Sequence, residues 1–255
     1  MNGRTALVTG SSDGLGLAMG KGLAAAGYDV VLHGLAAPDA VRQAREDLMR
    51  AHDVQVRYVQ ADLSTPAGVE ALIASAGRVD VLVNNAVIRH FAPLDEFPLA
   101  RWDQALAVNV TAAFLAIQRV LPGMRERRWG RIFNLSSAYG SRAIVNRIDY
   151  VTTKTALLGL TRAVAVETQG QGITCNAVCP GSVLTPNIES RLTALMAENQ
   201  LNRQAATVEF LQGKQATGRF IEASHVADLI VYLCSESASS ITGATLPVDD
   251  GWMAG

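Results

Sequence analysis

Short runs dominated by Val, Ile and Leu alternate along this chain with longer stretches whose apolar residues recur every three or four positions. The runs at 4–9, 29–32, 55–60, 79–83, 130–134, 173–178 and 245–248 have the length and β-branched content of strands. Most lack the in-out alternation of a half-exposed sheet, so they fit a parallel sheet covered on both faces. Helical periodicity fills the intervals, at 15–26, 39–51, 67–76, 99–125, 150–169 and 224–235. Regular strand–helix alternation predicts an α/β fold, a single doubly wound parallel sheet of Rossmann type with helices on both faces. Its ligand is expected at the C-terminal strand ends. No repeat, low-complexity tract or linker interrupts the pattern, so 1–255 is expected to be one domain. The exception is 182–220, a polar-helical insertion between the sixth strand and the last helix. It fits either a helical hairpin on the rim or a lid over the site.

Composition narrows the possible partners. The chain has 255 residues, 49% of them hydrophobic, enough for one sizeable core. A formal charge of −1 gives no electrostatic case for nucleic acid or an anionic membrane. The cluster Arg125, Arg127, Arg128 and Arg131 reads as a solvated helix end and strand entry. Cys175, Cys179 and Cys234 form neither a metal-ligand spacing nor an even disulfide set. Reduced, buried thiols fit a cytoplasmic protein, and no metal site is expected. Because a strand pattern closed by Gly10 starts at once, no signal peptide is expected. No run approaches the roughly 20 apolar residues that cross a bilayer.

The chemistry concentrates at a few places. Tyr150 and Lys154 stand four apart in a helical pattern, which sets a phenol and an ammonium on one helix face. A nearby cation stabilises the phenolate and brings an otherwise poor acid–base group toward a useful pKa. Thr9-Gly10-Ser11-Ser12-Asp13-Gly14-Leu15-Gly16 follows the first strand and opens a helix, the context in which a glycine-rich turn can hold a phosphate. Asn84-Asn85-Ala86 ends the fourth strand and Asn109 lies in a helical stretch. Ser137 stands 13 residues before Tyr150, and Pro180-Gly181 follows the sixth strand.

In that order and spacing, these motifs resemble the short-chain dehydrogenase/reductase family from about residue 3 to the end. Val31-Leu32-His33-Gly34, Trp102-Asp103, the segment Glu167 to Thr174 and the ending Val248-Asp249-Asp250-Gly251-Trp252 resemble, more narrowly, its bacterial D-3-hydroxybutyrate dehydrogenases. The resemblance implies an NAD(P)-dependent enzyme acting on CH–OH groups. Tyr150 would transfer the proton, Lys154 would tune it and hold the nicotinamide ribose, and Ser137 would bind the substrate oxygen. Asn109 would hold a water in a proton relay. Gly10, Ser12, Asp13, Gly14, Leu15, Gly16, His33, Asp62, Leu63, Asn85, Ala86, Pro180, Gly181, Val183 and Thr185 would contact the dinucleotide. By the same resemblance Asn84 is partly structural, the insertion is a substrate lid, and the chain is a homotetramer. The long helices 99–125 and 150–169 would pack across a two-fold axis through Ala112, Ala113, Ala156, Gly159 and Ala163.

Two departures matter. Val87 stands where the family has glycine after Asn-Asn-Ala; a positive φ there would strain a β-branched residue. In the hydroxybutyrate enzymes a glutamine, a histidine, a lysine and a second glutamine hold the carboxylate, and the matching positions here are Arg89, Tyr139, Arg147 and Arg191. Arginine forks suit an anion, so the expected substrate is a small anionic hydroxy acid, unless the arginines face solvent or pair with Asp149 or Glu189. A neutral alcohol, sugar or ketoacyl thioester is the rival within the class, and a non-catalytic dinucleotide sensor a remote one. His33-Gly34 replaces the acid that usually selects NAD, yet no base follows to hold a 2′-phosphate and Asp13 would repel one. That favours NAD over NADP.

Overall fold

In the computed structural model, which describes residues 3–254, seven strands form one sheet. They are β1 (Thr5–Val8), β2 (Asp29–Gly34), β3 (Val56–Gln60), β4 (Val81–Asn84), β5 (Gly130–Leu135), β6 (Ile173–Pro180) and β7 (Thr245–Val248). Their order is β3-β2-β1-β4-β5-β6-β7, and every pairing is parallel. Chain direction across the sheet reverses between β1 and β4, which opens a crevice at their C-terminal ends.

The pleat sorts side chains between two helical layers. Ala6 and Val8 of β1, with Phe133 and Leu135 of β5, pack under α1 (Gly14–Ala25) and α9 (Ala223–Cys234). Leu7 and Ile132, on the other face, meet α3 (Pro66–Ala76), α5 (Ala112–Arg127) and α6 (Ile148–Glu167). Both faces are therefore apolar, as the near-continuous strand runs required. At the sheet edge, α2 (Arg42–His52) follows a short 3₁₀ turn at Pro38–Val41.

Two expectations are revised. The stretch 99–125 is not one regular helix: α4 (Leu99–Leu106) and α5 are joined by one wider π turn, Ala107–Thr111. The combined rod, Leu99–Arg127, is long and apolar enough to cross a membrane by length and composition. Arg101, Asp103, Gln118 and Arg119 interrupt it, so it holds no unbroken run of about 20 apolar residues, and its buried face, Ala112 to Met124, is spent on the sheet. The arginine cluster is only partly solvated. Arg127 pairs with the buried Asp80 at 2.9 Å, and Arg131, 1% exposed, lies 4.5 Å from the Trp129 ring centre.

The insertion holds α7 (Pro186–Glu198) and α8 (Arg203–Leu211). Thr185 caps α7 and Asn202 caps α8 through their side-chain oxygens. At its neck, Gln215 accepts from Ser182 N (3.0 Å) and donates to the carbonyls of Ser182 (3.1 Å) and Arg219 (2.8 Å). A single parallel bridge, Val183 to Ile221, closes it.

Candidate active site

A cleft of about 880 Å³ opens at the C-terminal ends of the strands. Of the residues expected in the site, all line it except Asn109.

One half is built by backbone. Asp13 caps α1 without a side-chain hydrogen bond, so the first N–H groups of the helix remain free to meet an anion. A Cβ on Gly16 would sit 2.0 Å from the Gly10 carbonyl oxygen, so this turn admits no side chain there. These features fit a dinucleotide pyrophosphate. The polar side chains around the turn brace it. Asn85 Nδ2 donates to the carbonyls of Thr9 (2.9 Å) and Gly10 (2.7 Å), while Thr9 Oγ1 accepts from the amides of Asn85 and Ala86. Ser11, buried, donates to Val8 O of β1 (2.7 Å) and accepts from His33 N of β2 (2.9 Å). Thr9 and Ser11 fall within the glycine-rich motif, but no local pattern assigned either a bracing role, because Asn85, Ala86 and His33 are distant in the chain.

His33 is also a brace. Its Nδ1 accepts from Gly10 N at 3.0 Å, which makes Nε2 the protonated nitrogen, donating to Ala61 O at 3.1 Å. Burial holds its pKa below the ordinary value, so the ring is neutral, and neither nitrogen is left for a ribose. Asp62 turns its carboxylate onto Ser64 N rather than capping α3, whose cap is Thr65. Thr185, besides capping α7, lies against Gly14 with Pro186. Val87 is not among the residues with positive φ, so the expected strain is absent.

The catalytic group stands where β5 meets α6. Ser136 Oγ donates to the Lys154 carbonyl (2.8 Å), tying the end of β5 to the helix. Lys154 Nζ donates to the Leu135 carbonyl and lies 5.6 Å from the Tyr150 ring centre. Burial alone would push the Tyr150 phenol up. Lys154, Ser137, Arg89 and Arg147 together outweigh it and hold the pKa below the ordinary value. Lys154 is itself lowered, first by burial, with Tyr150 acting in the opposite sense. Asn109, in the π turn, is turned away from the cleft. Its amide donates to Ile88 O (2.9 Å) and Thr153 Oγ1 (3.1 Å), and its oxygen accepts from Ile88 N (2.9 Å). Its side chain thus braces the β4 loop against α6, with both amide protons spent there.

The other half of the cleft is cationic. Arg147 is buried and Arg89 half-buried, while Arg191 is the most open of the three. Among the described residues none of them pairs with an acid: Arg89 donates to Asn187 Oδ1 (2.7 Å), and Glu189 is taken by Arg203. Asp149 spends both carboxylate oxygens on the amides of Tyr150 and His90. Tyr139 meets Tyr150 and Trp252 edge-on, at 6.3 and 5.1 Å between ring centres. The sequence reading missed Lys214, Phe91 and Phe210 as cleft residues. They come from loops and the insertion, where no local pattern marks them.

A backbone cradle for a dinucleotide beside a buried Tyr–Lys–Ser group defines an NAD(P)-dependent oxidoreductase of CH–OH groups. Residues 4–195 match the short chain dehydrogenase family, and the chain belongs to it. It is 38% identical to the D-beta-hydroxybutyrate dehydrogenase of Cupriavidus necator, over 100% of this chain and 99% of that one. The enzyme of the same name from Rhizobium meliloti is 35% identical, over 98% and 99% of the two chains. Among solved structures, L-sorbose reductase from Gluconobacter frateurii, complexed with NADPH and L-sorbose, superposes with a TM-score of 0.95 at 30% identity, covering 100% of this chain and 98% of that one.

Proposed function

We propose that this chain is an NAD-dependent dehydrogenase that interconverts a secondary hydroxyl and a ketone on a small anionic hydroxy acid resembling 3-hydroxybutyrate. The observation that carries the reading is the set of arginines beside Tyr150, none of which is in an ion pair among the described residues. Two relatives named D-beta-hydroxybutyrate dehydrogenase support the substrate class. Tyr150 takes the hydroxyl proton in oxidation and returns it in reduction, while Ser137 donates to the substrate oxygen, on which charge develops. Lys154 keeps the phenol ionisable and meets the nicotinamide ribose; Asn109 acts as a positioning residue. Bound NAD supplies the hydride acceptor. NAD is favoured over NADP because Asp13 lies in the turn and the first base after β2, Arg42, is held by Asp39.

A matched acid and amide test the substrate. The acid should exceed its amide in kcat/KM by about 30-fold or more, because a desolvated arginine left without its anion costs a few kcal/mol. Equal values would remove the anionic reading. The likeness to a sorbose reductase then puts a neutral polyol first.

The same reading makes the chain a cytoplasmic homotetramer. Its three buried cysteines are free, which suits a reducing compartment. Ala112 and Ala113 are buried inside the chain and cannot meet a partner, contrary to expectation. The face left for assembly is Gly159, Ala163 and Val166 on α6, with Phe114 on α5.

A further inference from the structure

Along one wall of the cleft, cations and aromatic rings alternate outward from the catalytic tyrosine. Arg147 Cζ lies 4.8 Å from the Tyr150 ring centre and 4.0 Å from that of Phe91. Arg191 Cζ lies 5.6 Å from Phe91 and 5.0 Å from Phe210, and Lys214 Nζ lies 4.1 Å from Phe210. Arg147 and Phe91 belong to the body of the domain; Arg191, Phe210 and Lys214 all belong to the insertion.

The rings give each cation a favourable face, but they bring no opposite charge. Among the described residues, none of Arg89, Arg147, Arg191 and Lys214 is in an ion pair. Glu189 is spent on Arg203, and Asp149 gives both oxygens to backbone amides while its charge only partly offsets the burial and repulsion felt by Arg147. Arg147, 7% exposed, keeps a buried Nε with no hydrogen-bond partner. Mutual repulsion is felt along the wall: Arg89 and Arg191 depress Arg147, and Arg191 depresses Lys214, each adding to the effect of burial. A single carboxylate offers two oxygens, which Arg147 and Arg89 can take beside Tyr150. It leaves the insertion's two cations without an opposite charge, Lys214 Nζ donating only to the neutral Phe210 carbonyl among the described residues.

We infer that the preferred substrate is a hydroxy acid carrying a second anionic group, which Arg191 and Lys214 bind while Arg147 and Arg89 hold the first. The inference rests on the anionic reading above and deepens it. The second group is a carboxylate or a phosphate, since a guanidinium fork and an ammonium serve both. Its binding neutralises the wall from both sides at once and so holds the insertion against the body.

The test compares 3-hydroxybutyrate, 3-hydroxy dicarboxylates of five to seven carbons and the 4-phosphate ester of 3,4-dihydroxybutyrate, on the full enzyme with NAD. The best dianion should exceed 3-hydroxybutyrate in kcat/KM by about tenfold or more, one ion-pair's worth of discrimination. Which member leads identifies the second group. Lys214→Met should collapse that ratio toward one, while Lys214→Arg restores most of it, which a mere folding defect would not do. A dicarboxylate without the hydroxyl should inhibit competitively and more tightly than butyrate. The inference is overturned if 3-hydroxybutyrate beats its amide yet no dianion beats 3-hydroxybutyrate, or if the ratio survives Lys214→Met. Should no acid beat its amide, the anionic reading falls, and this inference with it.

Discussion

A methyl group added at Gly16 tests the cofactor cradle directly. Its carbon would stand 2.0 Å from the Gly10 carbonyl oxygen and 2.7 Å from Asn85 Nδ2. Even a close C–H···O contact needs about 3.3 Å, so the turn must retreat by roughly an ångström. Retreat strains the bond from Asn85 Nδ2 to Gly10 O (2.7 Å) and that from Gly10 N to His33 Nδ1 (3.0 Å). Overpacking of this kind costs about 1–3 kcal/mol, and each hydrogen bond about 0.5–1.5 kcal/mol. Gly16→Ala should therefore destabilise the chain by about 2–6 kcal/mol, a fall in Tm on the order of 10 °C for a domain of this size. Dinucleotide affinity should drop at least tenfold, because the displaced N–H groups are those that meet the pyrophosphate. Fluorescence titration with the reduced dinucleotide and a thermal melt read the two effects separately. A variant that binds within twofold of the parent and melts within a degree or two of it would refute the close packing of the turn.

Tyr150→Phe should bind dinucleotide normally and lose about 10²–10⁴-fold in kcat; a residual rate above a hundredth of the parent's would exclude proton transfer by this phenol. In the parent, alcohol oxidation should climb with pH to a plateau below the roughly 10 of free tyrosine, since the cations beside the phenol outweigh its burial. His33 predicts the opposite margin. Its folded pKa is depressed, so its contribution is intact above the unfolded value of about 6.5 and is lost as pH falls through the folded one. Acidification toward pH 5 should loosen the glycine turn and weaken dinucleotide binding, and His33→Asn should flatten that dependence; an unchanged slope in the variant would acquit the ring. Light scattering should report four chains of 27.0 kDa together, whereas a stable monomer at micromolar concentration counts against the α5–α6 interface.

Strand–helix alternation made the sheet legible, because both faces are covered and the strands read as apolar runs. The Tyr150–Lys154 spacing and the glycine turn were legible for the same reason: each lies within one element and its junction. What the sequence hid depends on contacts between distant segments. Nothing local says that His33 and Asn85 spend their polar atoms on the turn, that Asn109 sits in a π turn facing Ile88, or that Arg131 is buried beside Trp129. Lys214 is the clearest case. It has no motif, and only the return of the insertion over the cleft brings it and Phe210 to the same cleft as Arg147 and Tyr150.

The amide of Gln215 has a consequence for how such a chain diversifies. By gripping Ser182 and Arg219, it staples the two ends of the excursion where they leave the sheet. Closing entropy rises only with the logarithm of loop length, roughly 0.6 kcal/mol per doubling. Residues between the stapled ends can therefore be lengthened, shortened or exchanged at little expense to the fold. The excursion is a cassette: specificity can be rewritten there while Tyr150, Lys154 and Ser137 stay where the sheet puts them.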